Sequence, residues 1–224
     1  MTGTAVVVFA KAPRPGAVKT RLCPPLSPVA AARLSRCFLL DTLDGVRGLA
    51  GVTPVIAYAP RRARALFAAR HRGVRLLPQV GPDLGARMAG VFRRLFARGF
   101  EAVVIIGSDS PTLPRRHLEA AVRILGRADG VIGPSADGGY YLIGLRAPCP
   151  ALFTGVPWST DRVLATTLRR ARRAGRRLRR LPAWYDVDTS DDLRRLATEL
   201  RATPTSAART RRWLQGPGQR FLSD

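Results

Sequence analysis

Residues 102–106 (Ala102, Val103, Val104, Ile105 and Ile106) form an unbroken aliphatic stretch with no polar side chain at either set of alternating positions. A strand of that pattern has no face to offer to water, so it belongs inside a sheet covered on both sides. Residues 5–10 (Ala5, Val6, Val7, Val8, Phe9 and Ala10) repeat the pattern near the start of the chain. Shorter strand-like runs fall at 52–58, 74–77, 131–132, 140–145 and 179–185, with helical periodicity between them. Ser27-Pro28 supplies an N-cap and a first-turn proline for a helix running towards Gly45, with Leu34, Phe38 and Leu39 on one face. Further helices are predicted over 61–70, 83–97, 115–125, 162–173 and 191–200. Strands alternating with helices of these lengths predict an α/β fold, a single domain over residues 1–200 whose mostly parallel central sheet is flanked by helices. Residues 201–224 are rich in Thr, Ser, Ala and Arg and contain Gly216-Pro217-Gly218, which predicts a loosely ordered basic tail.

The formal charge of +23 comes from 38 Lys and Arg residues, 36 of them arginine. Such an Arg bias beside abundant Ala, Gly and Pro fits a GC-rich coding sequence as well as it fits a charged ligand, so a polyanion partner does not follow from charge alone. The arginine run at 169–177 has no interleaved aromatic residues, which favours a solvated helix face over a specific nucleic-acid surface. No apolar run approaches the roughly 20 residues that a membrane span needs. The apolar start lacks a basic leader, and a reducing, cytoplasmic location is expected. Three cysteines (Cys23, Cys37, Cys149) and two histidines (His71, His117) are too few and wrongly spaced for a disulfide framework, a thiolate zinc site or a Ser-His-Asp triad. A monomer and a homodimer are equally compatible with the sequence.

Only two lysines occur, Lys11 and Lys19, and both lie in the Pro- and Gly-rich loop that follows the first buried strand. Where arginine is used everywhere else, a compact ammonium here points to a specific contact. Lys11, Lys19 and Arg21 can surround a diphosphate, with Gly16 permitting close approach; a basic surface loop stiffened by prolines is the alternative. Asp109, in Gly107-Ser108-Asp109-Ser110-Pro111 at the end of the central strand, is placed to hold Mg²⁺ or Mn²⁺, or to cap the helix beginning near Pro114. Asp137-Gly138-Gly139-Tyr140 fits either a ligand-hugging loop or an ordinary turn. Asp186 and Asp188 leave a late strand, and serve a cation or substrate, or only the start of the next helix, capped by Thr189 or Ser190. Eleven of the fifteen acids fall between residues 101 and 200, several at strand ends, where α/β sheets place ligands.

The ordered set of these segments, together with Asp83-Leu84-Gly85-Ala86-Arg87-Met88 and Pro157-Trp158-Ser159-Thr160, resembles the bacterial DUF2064 group of glycosyltransferase-A-like (GT-A-like) proteins. That group is similar to the guanylyltransferase of coenzyme F420 synthesis and to molybdenum-cofactor nucleotidyltransferases, and some members are described as arsenosugar glycosyltransferases. The resemblance covers roughly residues 4–200. It implies a nucleotide-diphospho-sugar transferase fold and an enzyme, either glycosyl transfer from an NDP-sugar or nucleotidyl transfer from an NTP, on a small-molecule acceptor with Mg²⁺ or Mn²⁺. It further implies nucleotide and phosphate contacts from Lys11, Pro15, Gly16, Lys19, Arg21, Asp83 and Arg87, and catalytic roles for Lys19, Arg21 and Asp109. Metal ligation falls to Asp109 and Asp188, and acceptor contacts to Asp137, Gly138, Gly139, Tyr140, Trp158, Ser159 and Thr160. The glycosyltransferase Asp-x-Asp pair is reduced here to the single acid of Ser108-Asp109-Ser110.

Overall fold

The structure is a computed structural model that describes residues 3–203 and 206–221; residues 1, 2, 204, 205 and 222–224, some of them in the expected tail, lie outside the described residues. Among the described residues seven strands form one sheet: β1 (Thr4–Lys11), β2 (Val52–Ala59), β3 (Arg75–Pro78), β4 (Ala102–Gly107), β5 (Gly130–Pro134), β6 (Tyr140–Leu145) and β7 (Leu178–Arg180). Their order is β3-β2-β1-β4-β6-β5-β7, and every pairing is parallel except the two made by β6. The sheet is thus mostly parallel, as expected. In register, Lys11 stands beside Ala59 and Phe9 beside Gly107, so β1 and β2 end level and β4 stops just short of them at the same edge. That shared carboxyl edge is where a parallel sheet leaves room for a ligand.

Among the described residues there are seven helices, five packed on the sheet and two behind α1: α1 (Pro28–Arg47), α2 (Arg64–Arg70), α3 (Leu84–Phe96), α4 (Arg115–Leu125), α5 (Val163–Arg173), α6 (Ser190–Ala202) and α7 (Ala208–Gln215). The alternation along the strands decides which helices sit where. Val6, Val8, Ile56, Val104 and Ile106 pack with α1, α2 and α4, whereas Ala5, Val7, Val55, Val103 and Ile105 pack with α3 and α5. On α3, Met88, Val91, Phe92 and Leu95 follow the i, i+3, i+4, i+7 spacing of one buried stripe. Each contributes about 1.5–3 kcal/mol through burial.

Helix α1 departs from the one-faced reading. Leu39, Leu43 and Val46 face the sheet, but Leu34 and Phe38 lie in a separate cluster with Leu22, Leu193, Leu196, Trp213 and Leu214. A helix apolar on two sides must be buried on both, and here α6 and α7 supply the second layer. Helix α7 therefore stands in part of the segment expected to be a loose tail. Ala207 at its N-cap makes no side-chain bond. Instead Asp41 of α1, its side chain only 3% exposed, accepts from Arg209 N at 3.0 Å, Thr210 N at 2.8 Å and Thr210 Oγ1 at 2.6 Å. The free N–H groups of one helix end are satisfied by a carboxylate from another helix.

The strand expected over 179–185 is shorter. β7 ends at Arg180, and only an isolated bridge joins Trp184 to Ser135. Pro182 has no N–H to give to a ladder, and the β5 register shifts at Gly133/Pro134 beside it. Both histidines, in segments that are polar in sequence, are buried. Burial, joined by Arg47 near His71 and Arg116 near His117, pushes their pKa values below the ordinary one. Among the described residues no helix is long and apolar enough to cross a membrane.

Candidate active site

A cleft of about 510 Å³ opens at the carboxyl edge of β1 and β4, lined by Lys11, Lys19, Arg21, Arg87, Asp109 and Asp188 among others. Its first wall is the loop after β1. Ala17 N donates to Arg14 O at 3.1 Å, closing a turn with proline second and Gly16 third at φ 73°. A left-handed third residue after proline is the type II geometry that glycine favours. No protein atom crowds the position of a Cβ on Gly16, and its left-handed φ is what the turn requires. Pro15 and Gly16 are exposed outside the cleft lining. A 3₁₀ turn (Thr20–Leu22) follows, and fully buried Leu22 pins it against α1 and α6.

Between these two turns Lys19 takes a left-handed conformation, φ 51° and ψ 37°. Its ammonium lies 2.6 Å from Asp109 Oδ1 and 3.0 Å from Asp188 Oδ1, and donates to Val187 O at 2.8 Å. Three protons meet three acceptors, and the side chain is only 5% exposed. Burial opposes its charge, but Asp109 and Asp188 outweigh that and raise its pKa above the ordinary value. Lys19 thus grips carboxylates in this structure, where the sequence reading had it on a diphosphate. Lys11 and Arg21 are exposed in the same cleft and make no ion pair among the described residues.

Asp109 does not cap α4, whose N-cap is Pro114. Asp109 and Asp188 converge on one nitrogen although 79 residues apart in sequence. The backbone fixes this meeting: Val187 N donates to Asp109 O at 2.9 Å, tying the late segment to the end of β4. Asp186, one residue before, turns away to accept from Ser110 Oγ at 2.5 Å and Ser135 Oγ at 3.5 Å. Burial pushes its carboxyl up to about 6; the Ser110 bond and Lys19 pull down, and Asp109 and Asp188 push up. The cap of α6 is Thr189, in a reciprocal box with Asp192, which leaves Asp188 free to face the cleft. Asp191 pairs with Arg194 in solvent.

The remaining candidates divide. Arg87 lines the cleft, with Nε on Gly81 O at 3.1 Å. Asp83, grouped with the phosphate contacts in the sequence reading, accepts from Ala86 N at 2.7 Å and is the N-cap of α3. Asp137, Gly138 and Gly139 form a turn seated on the entry to α5. Asp137 Oδ1 accepts from Gly139 N at 2.9 Å, and Leu164 N donates to Gly138 O at 2.9 Å. A Cβ on Gly138 would stand 2.3 Å from Asp161 O, so this glycine serves chain packing. Tyr140 packs edge-on to Trp158 at 6.4 Å, in the core between the sheet and α5. Thr160 Oγ1 bonds back to Pro157 O at 2.7 Å. Of the expected acceptor group only Ser159 lines the cleft, exposed and left-handed at φ 64°. The other six are gathered behind it or at its side. Ser35, Gln79, Leu84 and Ser108 also line the cleft and were not foreseen. Gln79 follows β3, so its place at a strand end was the available signal; its Nε2 donates to Ala57 O at 2.7 Å.

Among the described residues no group of three or more His, Cys, Asp or Glu side chains makes a complete metal cage. Two carboxylates, 44% and 41% exposed and aimed at one point, nevertheless suit a hard divalent ion that draws its other ligands from phosphate and water.

Sheet order, the shared carboxyl edge of β1, β2 and β4 and this cleft define a GT-A-like α/β fold of the nucleotide-dependent transferase class. More narrowly, the chain belongs to the family described as "Uncharacterized protein conserved in bacteria (DUF2064)", which matches residues 42–160. A solved protein of Desulfovibrio desulfuricans G20, provisionally designated a nucleotide-diphospho-sugar transferase, is 34% identical. The alignment covers 99% of this chain and 97% of that one, with a TM-score of 0.91. CMP:2-keto-3-deoxy-manno-octonic acid synthetase, solved with CTP, shares the fold at a TM-score of 0.58 and 14% identity, over 89% of this chain and 99% of its own. A Mycobacterium tuberculosis H37Rv protein solved with manganese shares it at 0.52 and 18%, over 87% and 97%. No curated protein matches the chain significantly.

Proposed function

We propose that this protein transfers a glycosyl group from a nucleotide-diphospho-sugar to a small acceptor, with Mg²⁺ or Mn²⁺ held by Asp109 and Asp188. The observation that carries this reading is the convergence of those two carboxylates on the floor of a cleft rimmed by Lys11, Arg21 and Arg87. A cleft of about 510 Å³ suits a nucleotide-sized ligand. A divalent ion held there by Asp109 and Asp188 would offset negative charge on the diphosphate. Lys11 and Arg21 bind the phosphates as charged donors, and Arg87, steadied through Nε, offers its terminal nitrogens to them. Ser159 and Leu84 form the side of the cleft from which an acceptor approaches. The designation of the 34%-identical Desulfovibrio protein supports the same donor class.

A second reading, nucleotidyl transfer from an NTP, has one observation in its favour. The carboxylates come one early and one late in the chain, not as the adjacent pair of an Asp-x-Asp motif. Both reactions develop charge on phosphate and use the same clamp. Product analysis separates them. Incubation with a panel of NDP-sugars and NTPs, with Mn²⁺ and candidate acceptors, should release NDP; release of pyrophosphate would replace the first reading by the second. No divalent-dependent turnover of any donor would remove both.

A further inference from the structure

We infer that the Lys19 ammonium is the resident counter-ion of the metal carboxylates, and that a divalent ion and Lys19 exclude one another there. The inference rests on the proposed metal role of Asp109 and Asp188. Lys19 Nζ sits 2.6 Å from Asp109 Oδ1 and 3.0 Å from Asp188 Oδ1, and its third partner is Val187 O. The Phe38 ring closes off another side, its centroid 5.6 Å from the nitrogen. Leu22 N bonds Lys19 O at 3.0 Å, so the backbone that delivers the side chain is fixed. This is a formed site for one ammonium, that of Lys19, made from residues 38, 109, 187 and 188.

A divalent ion bridging the same carboxylates needs oxygens at about 2.1 Å. That puts it almost where the ammonium stands, and two cations so close repel strongly in a partly buried site. Entry of the ion therefore requires that Lys19 withdraw, and a nucleotide phosphate in the cleft is the nearest new partner for its charge. Two consequences follow. The free protein binds divalent ions weakly, because its competent state is only fractionally populated. Nucleotide and metal also strengthen one another's binding, since each supplies what the other's arrival displaces.

The first test measures Mn²⁺ binding to the nucleotide-free protein by electron paramagnetic resonance of the free ion. It uses wild type, Lys19→Met and the double variant Lys19→Met with Asp109→Asn. Lys19→Met should bind Mn²⁺ about tenfold or more tightly than wild type, by removal of the competing state, and the double variant should lose the gain. Affinity equal to or weaker than wild type in Lys19→Met overturns the inference; it would mean that the ion uses the outer carboxylate oxygens with Lys19 in place. The second test needs no variant. Because the chain has only two lysines, acetylation read by mass spectrometry compares Lys19 directly with Lys11. Lys19 should label slowly in the metal-free protein and faster at saturating Mg²⁺; a Lys19 rate that Mg²⁺ does not raise overturns displacement even if Lys19→Met fails to fold. The underlying metal reading is checked separately: Asp109-dependent Mn²⁺ binding by wild type with nucleotide keeps it intact when the exclusion fails. Loss of that binding as well removes both.

Discussion

Replacing Asp41 by alanine should release α7 from the body of the protein. The carboxylate accepts three bonds, at 3.0, 2.8 and 2.6 Å, from Arg209 N, Thr210 N and Thr210 Oγ1. Its side chain is only 3% exposed, and Thr210 is fully buried, so water cannot readily replace the lost acceptor. Hydrogen bonds to a charged acceptor are worth about 1.5–3 kcal/mol each and do not add fully, and a helix cap alone is worth about 1–2 kcal/mol. Ion pairs from Arg209 to Asp41 and Asp44 are partly exposed and add little. A net loss of about 3–5 kcal/mol in the docking of α7 follows, a factor of roughly a hundred to a few thousand. Amide hydrogen exchange over residues 208–215 reads it directly. Those amides should exchange faster by about that factor in Asp41→Ala while the β1 and β4 amides stay protected. Asp41→Asn, which keeps one carbonyl acceptor, should fall between the two proteins. Acceleration by less than about tenfold would refute the capping argument and leave burial of Trp213 and Leu214 as what holds α7.

Asp109→Asn should lower divalent-dependent turnover by about a hundredfold or more with the circular dichroism spectrum unchanged. Asp188→Asn should do nearly the same, since Asp186 is engaged by Ser110 and Asp191 by Arg194; initial rates against Mn²⁺ concentration decide both. Arg21→Ala should weaken nucleotide binding about tenfold in calorimetric titration and leave the melting temperature unmoved, because its side chain is exposed and loses no ion pair. Asp186 has a folded pKa of about 6, above its ordinary 3.8, so the folded state holds its proton longer than the unfolded chain does. Its contribution to stability is therefore greatest at low pH and declines as pH rises from about 4 to about 6. Urea midpoints should show that decline in wild type and a flatter course in Asp186→Asn; parallel curves would mean that Asp186 ionises freely.

The sheet was legible because its signals are local. Residues 5–10 and 102–106 carry no polar side chain, and Ser27-Pro28 announces α1 within two residues. The lysine pair lies in the loop that lines the cleft, and the carboxyl end of β4 marked Asp109, whereas Asp188 stands beyond the end of β7 in a segment with no strand of its own. What the sequence hid depends on distant partners. Ala207 is no capping residue, and the group that caps α7 lies 169 residues from Thr210, so residues 208–215 looked like tail. Lys19 looked like a phosphate ligand because its two carboxylates enter only when the sheet brings residues 109 and 188 together. Asp83 carries a signal that is local: an acid before Leu84-Gly85-Ala86 is an N-cap pattern, and Asp83 caps α3.

The last strand of the sheet ends at Arg180, but Asp188 and both helices behind α1 are still to come. The strands can therefore all be paired before the late segment that walls the cleft has docked. At that moment Lys19 has a single carboxylate, and the tether from Val187 to Asp109 does not exist. A product cut short after residue 180 would keep all seven strands of the sheet and lack Asp188.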